Sequence, residues 1–130
     1  MISYLVIAVG SAIGGMARYF FSGAIMNLAG GTFPYGTMFV NVTGAVIIGF
    51  IATATGPDGR AIVGAHTRQF LMVGICGGYT TFSSFSLETL NLIRDGEVIP
   101  AAANAIASVV LCIIAVWAGH IAATAFSRGV

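Results

Sequence analysis

Apolar residues fall into four long runs, at about residues 2–28, 37–55, 65–93 and 98–126, separated by short polar connectors at 27–36, 56–64 and 94–97. Each run is near or above the ~20 residues that cross a bilayer as a helix. The pattern predicts an all-α integral membrane protein, one four-span domain over residues 1–130, with hairpin-connected antiparallel helices. The first run has no basic flank before it and no clear cleavage site, so it reads as a retained span.

The third run departs from the other three. Its centre is Gly74-Ile75-Cys76-Gly77-Gly78-Tyr79-Thr80-Thr81-Phe82-Ser83-Ser84-Phe85-Ser86. In hydrocarbon every backbone amide and carbonyl needs a partner within the protein. Three glycines followed by two threonines argue against a continuous lipid-facing helix. The spacing predicts a helix that breaks at Gly77-Gly78 and restarts near Thr80-Thr81. Such breaks occur where backbone is buried in protein or lines a water-filled path, and they mark ion and substrate sites near the midplane.

Composition agrees with a membrane protein. Of the 130 residues 58% are hydrophobic and 7% charged, against about 25% charged in soluble domains; the mean hydropathy is +0.99. A net charge of +1 argues against a nucleic-acid surface. Cys76 and Cys112 both fall inside predicted spans and read as free buried thiols.

In the first span, Gly10 and Gly14 form GxxxG, and Ser11 with Gly15 repeats the pattern one position on. Small residues at this spacing let two helix backbones approach closely. Arg18 follows about ten residues, on the order of 15 Å, from the helix end. That is too far to snorkel comfortably, so it reads as facing protein or a vestibule. In the second span Thr37, Asn41, Gly44 and Ile48 share a stripe. The Asn41 amide has donors and an acceptor to satisfy, and either an interhelical hydrogen bond or a pore-lining role would do so. In the fourth span Asn104, Ser108 and Cys112 form a mildly polar stripe, and His120 reads as a satisfied structural histidine.

At about 100° per residue, Phe82, Phe85, Ser86 and Thr89 share one face of the restarted helix, and Glu88 falls off it. Two phenylalanines at i and i+3 ordinarily mean core packing or lipid contact, but ring edges carry positive charge, and two rings among serines and threonines suit a small anion. The amides at the helix N-terminus add to that field. The carbonyls of Gly77 and Thr80, freed before the break, suit a cation instead. One chain supplies too few ligands; a symmetric second copy would double them. Both termini share a side with Arg60, Arg68 and Arg128, while Arg94 and Arg18 lie toward the other, so the positive-inside bias is weak. A chain of this kind can insert both ways and pair antiparallel, while charge counting leaves parallel pairing open as well.

The stretch from Gly77 to Ser86 resembles the Fluc (CrcB-type) fluoride channel family. So do Gly14-Gly15-Met16-Ala17-Arg18-Tyr19 and Gly36-Thr37-Met38-Phe39-Val40-Asn41-Val42-Thr43-Gly44. The resemblance implies a dual-topology antiparallel homodimer with two pores in a bacterial inner membrane. It implies passive fluoride export, protecting the cytoplasm from fluoride that enters as the neutral acid. Phe82 and Phe85 would meet the anion with their ring edges. Asn41 would hydrogen-bond fluoride, with Thr37, Ser83 and Ser84 as further pathway residues. Arg18 would set positive potential near a vestibule, with Asn104 and Ser108 also at its lining. Backbone carbonyls of Gly77 and Thr80 from both subunits would hold a structural, non-permeating Na⁺. Two features depart from the family pattern: Asn104 stands where tyrosine is frequent, and Tyr79 where an aliphatic residue is.

Two other classes compete. A proton-coupled exporter of cationic drugs needs a membrane carboxylate, typically in the first span; here that span holds Arg18 and no acid, and Glu88 is the only intramembrane carboxylate. A non-transporting assembly subunit would leave the midplane break without a purpose. No Ser/His/Asp or metal constellation can be assembled for an enzyme.

Overall fold

A computed structural model describes residues 1–128; residues 129 and 130 of the expected single domain lie outside the described residues. The described residues are helical in seven pieces: α1 (Ile2–Ala29), α2 (Tyr35–Ala54), α3 (Ala65–Gln69), a π-helical stretch (Phe70–Cys76), α4 (Gly77–Tyr79), α5 (Phe82–Arg94) and α6 (Val98–Arg128). Taking residues Ala65–Arg94 as one segment, four helices among the described residues are long and apolar enough to cross a membrane. At about 1.5 Å per residue the 20 residues of α2 reach about 30 Å, the thickness of the hydrocarbon core. The 28 residues of α1 and 31 of α6 exceed it, so these helices must tilt or emerge. Glycines at positive φ end two of the helices: Gly30 (φ 67°) after α1 and Gly96 (φ 80°) after α5.

Lipid is as apolar as leucine, so helices here associate through close packing rather than by escaping water. Glycine makes that packing possible in two places. Gly10 and Gly14 of α1 meet Gly74 and Gly78 of the third segment, one GxxxG pair against another. A methyl group at Gly10 would stand 2.8 Å from both the Gly74 Cα and the Phe70 carbonyl oxygen. One at Gly78 would stand 2.6 Å from the Ser11 carbonyl oxygen. The second place is the α2–α6 seam, the most extensive helix pairing among the described residues. There Gly49 lies on the Val116 backbone and Gly119 on Val46 and Phe50. The buried side of α6 carries Ala101, Asn104, Ser108, Ala115, Gly119 and Ala123, all small or polar.

The Gly77-Gly78 pair does not break the helix, contrary to the sequence reading. Gly77 keeps helical dihedrals at φ −64° and ψ −36°, and the following helical turn runs to Tyr79. The interruption comes at Thr80 (φ −87°, ψ 158°) and Thr81 (φ −153°, ψ 119°), both extended. The reason is packing: Gly78 is used to bring the third segment onto Ser11 and Gly15 of α1, which a helix does without unwinding.

Gly14→Ala is expected to lower stability by about 1–3 kcal/mol through overpacking, because its Cβ would land on the Ile75 carbonyl and the Tyr79 amide. Gly23→Ala, whose Cβ meets nothing within 4 Å, should hold or slightly raise the thermal unfolding midpoint in detergent. Equal midpoints for the two variants would contradict the glycine clasp.

Candidate functional site

Two extended residues inside a membrane segment leave backbone groups that must be satisfied locally. Asn41 of α2 does this for Thr81. Its Oδ1 accepts from the Thr81 amide at 2.7 Å and its Nδ2 donates to the Thr81 carbonyl at 2.9 Å. The pair mimics one rung of a β-ladder. Thr81 then caps α5, its Oγ1 accepting from the Ser84 amide at 3.1 Å, the usual service of an N-cap threonine.

These two side-chain acceptors have a consequence for the carbonyls. In a continuous helix the Thr81 amide would bond the Gly77 carbonyl, and the Ser84 amide the Thr80 carbonyl. Asn41 and the Thr81 hydroxyl take those amides instead. The Gly77 and Thr80 carbonyls thus lose their helical donors. The preceding carbonyl differs: Cys76 O accepts from both the amide (3.0 Å) and the hydroxyl (2.9 Å) of Thr80.

Beside the break lies a groove of about 880 Å³ between α1, α2 and α5, with Gly15, Arg18, Thr37, Thr81, Ser84 and Glu88 among its lining. Arg18 is half-buried there and supplies positive charge. Thr81 donates its hydroxyl to Ser84 Oγ at 3.1 Å, which leaves the Ser84 proton for a ligand in the groove. Thr37, buried, donates to Glu88 Oε1 at 2.7 Å; its own proton is therefore committed. Glu88 Oε2 has no hydrogen-bond partner among the described residues. The N-terminus of the 13-residue α5, capped by Thr81, stands at the edge of this groove, and its dipole favours an anion there.

The aromatic pair divides. Phe85 is buried at 9% exposure, whereas Phe82 is 75% exposed on the single chain. Their ring centroids are 5.2 Å apart with the planes at 46°. Ser83 is exposed, its hydroxyl 3.2 Å from Thr81 Oγ1. Asn41, Thr37, Ser84 and Arg18 thus gather at the break and groove, and Phe82, Phe85 and Ser83 stand on the first turns of α5.

Asn104 and Ser108 do not join them, a correction to the vestibule placement. Asn104 is 1% exposed and sits in the α5–α6 seam. Its Nδ2 donates to Thr89 Oγ1 at 2.8 Å and its Oδ1 accepts from Ser108 Oγ at 3.3 Å. Thr89 passes its proton on to the Phe85 carbonyl at 2.7 Å. Burial with partners is what a membrane amide requires, and here helix pairing provides it. His120 does find a partner, with Nδ1 2.9 Å from Thr53 Oγ1.

Thr81 and Glu88 line the groove without having been assigned a site role by the sequence. Thr81 carried a usable signal, since a threonine opening an apolar helical run is an N-cap pattern. Glu88 follows Ser84 by four and Thr81 by seven positions, a helical spacing; the sequence places it off the aromatic face and leaves its role open.

The family model described as "CrcB-like protein, Camphor Resistance (CrcB)" matches residues 5–120. A curated relative from Rhodospirillum rubrum, named "Fluoride-specific ion channel FluC", is 52% identical over 98% of this chain and 99% of its own length. A relative of the same name from Opitutus terrae is 57% identical over 92% of this chain and 91% of its own. A third, from Methylocella silvestris, is 52% identical over 96% and 95%.

Asn41→Ala removes partners from two backbone groups at the break and should cost about 2–4 kcal/mol. The check is equilibrium unfolding in detergent. An unchanged midpoint would show that the asparagine does not hold the interruption.

Proposed function

The chain belongs to the CrcB family, and from that premise we propose that it is a fluoride-selective ion channel, letting fluoride leave the cytoplasm down its electrochemical gradient. What carries the reading is likeness along nearly the whole chain to relatives named as fluoride-specific ion channels. It is a multi-pass membrane protein and not an enzyme. The alternative of a proton-coupled exporter of cationic drugs is not the activity those relatives are named for.

Fluoride holds its water tightly, so a channel must offer hydrogen-bond donors in its place. The groove beside the break supports that role. Arg18 raises the local anion concentration at its mouth. The Ser84 hydroxyl and the α5 amides then replace water, with Ser83 close by. Asn41 uses one Nδ2 proton on the Thr81 carbonyl, and its second remains for the anion. Thr37 acts through Glu88, fixing that carboxylate rather than donating to the ion. Phe82 and Phe85 present ring edges on the first turns of α5, as the aromatic part of the path.

The remaining assignments are part of the same proposal. Exposed Phe82 and exposed Gly77 would be covered by a second, antiparallel copy in a bacterial inner membrane. The Gly77 and Thr80 carbonyls fit a Na⁺ ion because both have lost their helical donors and carbonyl oxygen suits a hard cation. Two carbonyls from each copy would hold it at the dimer axis. Bound there, it supplies fixed positive charge without permeating.

Liposomes loaded with fluoride should discharge it through the reconstituted protein while holding chloride; equal chloride flux would reject the channel reading. Phe82→Ile should slow fluoride efflux by about tenfold, the kinetic equivalent of about 1.4 kcal/mol. Wild-type efflux from that variant would take the ring out of the path. For the pairing, Gly77→Cys in a background lacking Cys76 and Cys112 should crosslink two copies in membranes, and its failure to do so under oxidation would count against the antiparallel dimer.

A further inference from the structure

Tyr79 is the last residue of the turn that carries the Gly77 carbonyl, and nothing so far gives its side chain a task. Its hydroxyl lies 3.0 Å from Thr43 Oγ1 on α2. Thr43 donates its own single proton to the Phe39 carbonyl at 2.7 Å, so the tyrosine is the donor. The ring stands edge-on to Phe21 of α1, centroids 6.3 Å apart at 81°. It also occupies a notch left by a glycine: a Cβ at Gly44 would overlap the Thr80 methyl and come within 3.1 Å of Tyr79 Cδ1. Three residues of one α2 turn therefore hold three consecutive residues of the third segment. Asn41 holds Thr81, Gly44 admits Thr80, and Thr43 anchors Tyr79.

Only the outermost anchor, on Tyr79, acts on the α4 side of the interruption. The Asn41 pairing fixes Thr81, beyond the extended Thr80; on the other side the turn Gly77–Tyr79 is seated on α1 through Gly78 and tied back to Cys76 by the Thr80 amide, and the Tyr79–Thr43 bond is its side-chain hydrogen bond to α2. The geometry points to Tyr79 as a positioning residue: its hydroxyl bond to Thr43 locks that turn, so that the Gly77 and Thr80 carbonyls keep one relative orientation for a cation. This rests on the proposed Na⁺ site. A residue with no hydroxyl at position 79 would fill the same notch without the lock.

The test is Na⁺ titration of fluoride efflux from liposomes prepared without Na⁺, using Tyr79→Phe, Thr43→Val and the double variant. Both single changes keep shape and remove the bond. Each should raise the Na⁺ concentration for half-maximal efflux by about fivefold, the worth of one net hydrogen bond, and the double variant should shift it no further. A Tyr79→Phe protein with a lower unfolding midpoint but wild-type Na⁺ dependence would make the hydroxyl merely structural and overturn the assignment; so would multiplying shifts in the double variant. If wild-type efflux ignores Na⁺, the cation reading falls, and backbone amide exchange then decides the lock. Faster exchange at Thr80 and Thr81 in Tyr79→Phe, with α6 unchanged, would uphold it, and wild-type rates would overturn it.

Discussion

The bidentate pairing of Asn41 with the Thr81 backbone is the interaction on which the site depends. A membrane segment cannot leave an amide and a carbonyl bare, because no water is available to take them. One asparagine side chain, 2.7 and 2.9 Å from the two groups, satisfies both, and the segment can change direction without unwinding further. The pairing holds only if α2 itself is fixed. The glycine contacts at Gly49 and Gly119 fix it by seating α2 on α6, and the Gly10/Gly14 clasp does the same for the segment that approaches the break. Backbone packing far from the groove therefore determines where the groove's donors stand.

Hydrogen bonds within this unit are mostly committed, which narrows what each residue can do. Thr37 gives its proton to Glu88, Thr89 to the Phe85 carbonyl, and Ser86 to the Phe82 carbonyl. A hydroxyl with its one proton committed is a poor donor to an ion. Ser84 and the second Asn41 proton stand out because the protein leaves them over. A polar residue near a path is thus no measure of its role; the proton inventory is.

The four membrane-length helices were readable from the apolar runs, because lipid imposes a length and a polarity that sequence displays directly. The tight approach at Gly10 and Gly14 was readable for the same reason: only small side chains permit it. The position of the break was not. Gly77-Gly78 reads as a flexible pair, yet a glycine that receives another helix and one that ends a helix look alike until the neighbour is known. Asn104 and Ser108 misled in the same manner, since a stripe of small polar residues fits a water path and a buried seam equally. For Asn41 the two roles left open by its amide turn out to be compatible, because one side chain has more hydrogen-bonding groups than the Thr81 backbone consumes.

On the proposed reading, the arrangement also accounts for an anion path beside a cation. Side chains at the break serve as acceptors to its amides: Asn41 Oδ1 to Thr81 and Thr81 Oγ1 to Ser84. Every amide satisfied this way releases the carbonyl it would have bonded one turn earlier. The break therefore becomes electronegative on its Gly77–Thr80 side while remaining electropositive at the first turn of α5. In a low-dielectric interior such exposed carbonyls are costly, and their field opposes an anion nearby. On the proposed reading a bound Na⁺ answers both problems at once, satisfying the carbonyls and reversing their field. Capping the amides and recruiting a cation are then two sides of one electrostatic requirement, set when Asn41 rather than Gly77 accepts from Thr81.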